Sequence, residues 1–255
     1  MPRLTPASGP TARPTAAKAP GRVPKASQVR VLVAGATGLV GRALLAQLVA
    51  DPRCRSVTAL LRKTAQRQGL PRGVTAQVVD YPMLGQPGVP PLPAADWALC
   101  CLGTTIKTAG SQAAFRAADF DAVLAFARAA QAAGVTRLGV VSAMGANVRS
   151  RVFYNRIKGE AEQALAALGF QQLVVVRPSL LLGDRQALGQ AKRPGERVAQ
   201  ALMPALGWLL PRKLRPIRAS AVATALRRAL LDPAPGTTVL ESDALARLAE
   251  DLPAG

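Results

Sequence analysis

One stretch constrains this chain more than any other: Val31-Leu-Val-Ala-Gly35-Ala-Thr-Gly38-Leu-Val-Gly41, running directly into Arg42-Ala-Leu-Leu-Ala-Gln-Leu-Val49. A short apolar run reads as a buried parallel strand. Three glycines follow at G-x-x-G-x-x-G spacing, and an apolar-periodic helix begins at once. Strand, glycine turn and helix in that order make the turn by which a βαβ unit receives the pyrophosphate of a dinucleotide. Gly35 allows the tight turn, Gly38 lets backbone approach phosphate, and Gly41 lets the helix pack close to the strand. Thr37, Leu39 and Val40 complete the turn. The N–H groups at the helix start, aided by the helix dipole, suit an anion.

Downstream, strand and helix signals keep alternating. Strands are predicted at Val29–Ala34, Ser56–Leu61, Thr75–Asp80, Trp97–Leu102, Leu138–Ser142 and Leu173–Arg177. Helices are predicted at Leu39–Ala50, Gln112–Ala133 and Arg156–Leu168, with Ser220–Leu231 as a surface helix carrying a core-facing stripe. Residues 82–93 hold five prolines and read as a loop. This alternation predicts an α/β protein with a doubly wound parallel sheet of the Rossmann type. A small carboxyl-terminal cap, over about residues 184–255, completes a domain spanning 28–255. Residues 1–27 hold six prolines and little apolar periodicity, so they read as a disordered basic extension.

Composition narrows the function. With 255 residues, 49% of them hydrophobic, the chain can bury the core of one such domain. The longest apolar run, Ala201–Leu210, is broken by Pro204 and Gly207, so no membrane span is predicted. No secretory core segment stands in residues 1–27, and the chain reads as cytoplasmic. There is no histidine, and the three cysteines lack metal-ligand spacing. The usual zinc sites and a Ser-His-Asp triad are therefore excluded. Cys100 and Cys101 read as buried thiols. The formal charge of +19 favours anionic partners, but aromatics are only 4% and no stacking platform appears. Specific nucleic-acid binding is not expected.

A second constellation carries the chemistry. Tyr154 and Lys158 stand four apart and share a face of the predicted helix. A lysine beside a tyrosine favours the phenolate, which suits a phenol for proton transfer to a substrate oxygen. Ser142 ends a strand at the carboxyl edge, where ligands bind in open sheets, and its hydroxyl suits a substrate carbonyl. Arg62 and Lys63 follow the second strand, where an acid would instead hold a ribose 2′-hydroxyl; a guanidinium there suits a 2′-phosphate. Asp80 and Tyr81 are placed to flank the adenine edge. Leu102, Gly103 and Thr104 are placed beneath ribose and pyrophosphate. Arg177, Pro178 and Ser179 end the sixth strand near the nicotinamide, with Arg177 equally readable as a structural ion-pair partner.

The glycine turn, Cys101-Leu-Gly-Thr-Thr105, Ser142, Tyr154-Asn-Arg-Ile-Lys158 and Arg177-Pro178 together resemble the short-chain dehydrogenase/reductase superfamily. Lys158-Gly-Glu160, Gly183-Asp-Arg185 and Arg193-Pro-Gly-Glu196 resemble its atypical branch, the Tat-interacting oxidoreductase-like subgroup. The resemblance covers about residues 28–240. It implies NADP(H) lying over the carboxyl ends of the strands, and proton-transfer, tuning and orienting roles at Tyr154, Lys158 and Ser142. The chain departs from it at Ala143, where related proteins often carry a second serine.

The reading is therefore an NADP(H)-dependent oxidoreductase acting on a small-molecule carbonyl or alcohol. A cofactor-sensing regulatory protein and a sugar-nucleotide epimerase or dehydratase are its rivals. Gly195–Leu214 reads as a cap helix over the cleft, or alternatively as a weak peripheral contact with anionic lipid. Oligomeric state is left open.

Overall fold

A computed structural model of the chain describes residues 28–182, 211–232 and 234–250. The glycine turn lies between β1 (Val29–Ala34) and α1 (Leu39–Val49). Then follow β2 (Cys54–Leu61), β3 (Val74–Val78) and β4 (Trp97–Cys100). Two short helices, α2 (Ile106–Ala109) and α3 (Gln112–Arg116), lead through a π-helical turn, Ala117–Asp121, into α4 (Ala122–Ala132). Next come β5 (Arg137–Val141), α5 (Phe153–Ala166) and β6 (Gln172–Arg177). The short strands β7 (Leu181–Leu182) and β8 (Ile217–Arg218) pair with each other. The described chain closes with α6 (Ala219–Leu231), β9 (Gly236–Glu241) and α7 (Ser242–Glu250).

Seven strands form one sheet in the order β3-β2-β1-β4-β5-β6-β9, and every pairing is parallel. The order reverses between β1 and β4, which is where an open α/β sheet opens a crevice at its carboxyl edge. Strands buried on both faces need apolar residues at every position. In β1, Val31 and Val33 face one layer while Leu32 and Ala34 face the other, and all four are buried. On the first face α1 and α6 bring Leu44, Leu45, Leu48, Val222 and Leu226 against the sheet. On the second, α4 and α5 bring Val123, Phe126 and Leu165. Gly139 in β5 lets α6 come close: a Cβ there would meet Leu226 and Leu230 at 2.9 and 3.0 Å.

The predicted fold class is the one observed, with three differences. The helix expected over Gln112–Ala133 is interrupted by the π turn. The helix expected from Arg156 starts at Phe153, one turn earlier. Within the span expected as a cap, Gly236–Glu241 instead forms the edge strand of the main sheet, paired with β6. Its sequence, Gly-Thr-Thr-Val-Leu-Glu, has two apolar residues and is only partly covered, so no continuous apolar run marked it. The expectations for residues 1–27, and for Gly195–Leu214 up to residue 210, lie outside the described residues. Among the described residues, no helix is long and apolar enough to cross a membrane.

Candidate functional site

The glycine turn is shaped by close approach. Gly35 has φ of +73°, and a Cβ there would lie 2.4 Å from the Cys101 carbonyl carbon and oxygen at the end of β4. Gly41 seats α1 on the turn: its Cβ would lie 2.2 Å from the Gly35 carbonyl oxygen. Both positions are closed to any side chain by the protein's own backbone. Gly38 is different. Its φ of −76° suits any residue, and a Cβ would touch only the Gly35 oxygen, at 3.4 Å. The fold leaves that surface open, and the start of α1 carries no side-chain cap. A helix start without a cap, beside an open glycine, fits a pyrophosphate.

Arg62 and Lys63 follow β2 directly and are exposed. Among the described residues neither forms an ion pair with a carboxylate. Arg42, in the first turn of α1, reaches the same side and donates from Nε to the Thr37 carbonyl at 3.3 Å. Asp80 is exposed, but Tyr81 is buried in the core, with its hydroxyl donated to the Leu60 carbonyl at 3.4 Å. Burial pushes its phenol well above the ordinary range. Tyr81 therefore supports the sheet from inside, and the expected place for it at the adenine edge is corrected accordingly.

Across the crevice, α5 presents Tyr154 and Lys158 one turn apart. The Tyr154 ring packs against Phe115 with centroids 5.2 Å apart, and Phe153 also packs on Phe115, at 5.9 Å. Lys158 is buried, and its Nζ lies 2.7 Å from Oδ1 of Asp119 in the π turn. The other Asp119 oxygen accepts the Thr104 N–H at 2.9 Å. Gly103 covers the pair: a Cβ there would stand 3.5 Å from both Asp119 Oδ1 and Lys158 Nζ. Burial is the largest single influence and works against the ammonium, but the charge of Asp119, with Tyr154, the Asp119 hydrogen bond and Cys100 added to it, holds Lys158 above its ordinary value. Leu102, Gly103 and Thr104 thus lie where β4 meets the lysine. Burial pushes the neighbouring Cys100 thiol up to about 12, so it is an inert core thiol.

Ser142 is placed differently from Tyr154. Its hydroxyl donates to Glu162 Oε1, and Glu162 lies two turns along α5 from Tyr154. Arg177 joins the same cluster, with Nη2 at 2.5 Å from Glu162 Oε2 and Nη1 at 3.0 Å from Glu241 Oε1. The hydrogen bonds to Glu162 raise the guanidinium further above its ordinary value. Arg177 therefore takes the ion-pair alternative, tying β6 to α5 and β9. Pro178 is buried behind it, with its carbonyl accepting the Met144 N–H at 3.1 Å. Ser179 donates to the Arg215 carbonyl at 2.5 Å. Sequence reasoning missed Asp119 and Glu162. Each is an acid on an otherwise inward-facing stripe, Asp119 four residues after Phe115 and Glu162 four after Lys158, and that is the signal that was available.

Comparison with known proteins agrees with this geometry. The family model described as NAD(P)H-binding matches residues 35–204. Rattus norvegicus Protein HTATIP2 is 32% identical over 229 residues, covering 87% of this chain and 89% of its own. Emericella nidulans Protein fmp52, mitochondrial, is 34% identical over 182 residues, covering 69% and 76%. Among solved structures, MoeE5 in complex with UDP-glucose and NAD superposes with a TM-score of 0.61 at 19% identity, over 83% of this chain and 75% of that one. The mitochondrial relatives overturn the cytoplasmic expectation, which rested on the lack of a secretory core segment in residues 1–27. The open glycine cradle, the β1–β4 crevice and these likenesses converge: the chain belongs to the NAD(P)H-binding Rossmann family, among proteins of the short-chain dehydrogenase/reductase type.

Proposed function

We propose that this protein is an NADP(H)-dependent oxidoreductase that reduces a small-molecule carbonyl, or oxidises the alcohol in reverse. One observation carries the reading. Tyr154 and the buried Lys158 share a face of α5 beneath Gly103, at the same sheet edge as the glycine cradle. Gly35, Gly38 and Gly41, with Thr37, Leu39 and Val40, would hold the pyrophosphate. Arg62 and Lys63, which form no ion pair among the described residues, would take a 2′-phosphate. The bound dinucleotide supplies the hydride.

The side chains then divide the remaining work. Tyr154 gives its phenolic proton to the substrate oxygen during reduction and recovers it during oxidation. The Lys158 ammonium offsets the negative charge left on that phenol. Phe115 fixes the Tyr154 ring from behind. Ser142 can polarise the substrate oxygen only by giving up its bond to Glu162, and Ala143 offers no second hydroxyl. That last observation favours one alternative, a cofactor-sensing protein with little turnover.

Calorimetric titration with NADPH and NADH tests the cofactor assignment. NADPH should bind about tenfold or more tightly than NADH, and Arg62→Ala should remove most of the difference, a change of about 1.4 kcal/mol. Equal affinities would take Arg62 out of its role, and binding of neither would end the oxidoreductase reading. Tyr154→Phe should keep NADPH affinity and lose turnover across a carbonyl panel. A parent protein that binds NADPH yet turns over none of the panel would favour the sensing role.

A further inference from the structure

Two helices face each other across the lysine in matched rungs. Phe115 and Asp119 are four residues apart on one, Tyr154 and Lys158 four apart on the other. Phe115 meets Tyr154 at 5.2 Å and Asp119 meets Lys158 at 2.7 Å. All of Phe115, Asp119 and Lys158 are buried. The Asp119 rung lies within the π turn, a local departure from regular helix that concentrates at functional places. Its second oxygen reaches a third element, the Thr104 amide after β4.

A buried ion pair is a poor way to gain stability, since an apolar pair of similar volume commonly does as well or better. Its presence beside Tyr154 needs another reason. A lysine this deeply buried tends to shed its proton, because low dielectric penalises the ammonium. A neutral amine would give no electrostatic help to a phenol. The groups facing Lys158 are Asp119 from the π turn, Tyr154 from its own helix and Cys100 from β4. Of these Asp119 is the one in an ion pair with the ammonium, and the Cys100 thiol is pushed far up.

We infer that Asp119 is the positioning residue of this site: one carboxylate oxygen holds Lys158 as an ammonium at a single place, and the other ties it to the β4 end over which the dinucleotide would lie. This rests on Tyr154 and Lys158 being the reacting pair. It adds that the pair works only as a triad with an acid drawn from the opposite helix.

The test needs neither substrate nor cofactor. The chain has seven lysines, few enough for carbon-13 lysine labelling to resolve each side chain by NMR. Loss of one resonance in Lys158→Gln identifies the reporter. In the parent, Lys158 should remain an ammonium beyond the ordinary lysine value of about 10.4. In Asp119→Asn it should lose its proton about two pH units or more earlier, and Asp119→Glu should recover part of the shift. A purely structural Asp119 would lower the unfolding midpoint and leave the Lys158 titration in place, which would overturn the inference. Should Asp119→Asn fail to fold, the parent decides alone, since a Lys158 already neutral at pH 8 is equally fatal. NADPH calorimetry on the same samples separates the two levels. A parent that binds no NADPH sinks the proposed function, while the titration still judges Asp119.

Discussion

The two sides of the crevice are built by opposite means. The α1 side is backbone. A Cβ at Gly35 or Gly41 would lie 2.4 or 2.2 Å from backbone atoms of Cys101 and of Gly35, and the one charged side chain on the turn, Arg42, only donates to the Thr37 carbonyl among the described residues. The α5 side is a pair of charged clusters, Lys158 with Asp119 and Ser142 with Glu162, Arg177 and Glu241. A backbone cradle tolerates almost no substitution where it is tight and almost any where it is open. A side-chain cluster fails by stages, because each loss strands a partner whose charge must still be accommodated.

That contrast is sharpest at Gly41. Gly41→Ala places a methyl inside the Gly35 carbonyl, neither of which can yield. It should cost about 3 kcal/mol or more in urea unfolding. Removing one cation from the α5 side should cost somewhat less. Among the described residues Arg177→Met leaves the half-buried Glu162 with only the Ser142 hydroxyl, and a loss of about 2–4 kcal/mol at neutral pH is expected from the same measurement. A loss at Arg177 as small as for an exposed pair would mean that the cluster is solvated and the contrast overstated.

A third cluster, away from the crevice, gives a pH signature. Asp51 accepts from Arg53 and Arg227, and the hydrogen bonds from Arg53 bring its carboxyl down to about 2 despite burial. A carboxyl lower in the folded state than in the unfolded one stabilises above its unfolded value of about 4. That contribution, about 2 kcal/mol, is lost as pH falls through about 2. The acid limb of the stability profile should therefore flatten in Asp51→Asn, and an unchanged limb would assign the loss to other carboxylates. The smallest effect on stability is expected at Gly38. Gly38→Ala should shift unfolding by less than about 1 kcal/mol yet weaken NADPH about tenfold or more, because only a ligand needs that space. Should unfolding and binding fall together, the open cradle would be a structural turn after all.

The same contrast explains what could be read from the chain. The α1 side occupies consecutive residues from Val31 to Val49, and a contiguous pattern of strand, glycines and helix carries its own meaning. Tyr154 and Lys158 were equally plain, since four residues make one helical turn. Asp119 and Glu162 were not, because their meaning comes from partners at positions 104, 158, 142 and 177, brought together only by the sheet. Arg177 could be read two ways until β9 delivered Glu241 beside it. Tyr81 was misplaced for a related reason. Its position after β3 says where its backbone runs, and only the packing against Leu60 says which way the ring turns.

The partners of α1 set an order of assembly. Gln47 on α1 bonds Thr224 on α6 across 177 residues of sequence, and Asp51 meets Arg227 across 176. The sheet edge beside β6 is then finished by β9, later still. During synthesis, the glycine turn and its helix leave the ribosome early, yet their apolar face waits for nearly the whole chain before it is covered. Contacts of such long span close slowly and leave hydrophobic surface open in the interval. The part of this protein that is simplest to recognise is thus among the last to become stable, and a chain cut short before α6 would carry an intact cofactor motif on an unfinished fold.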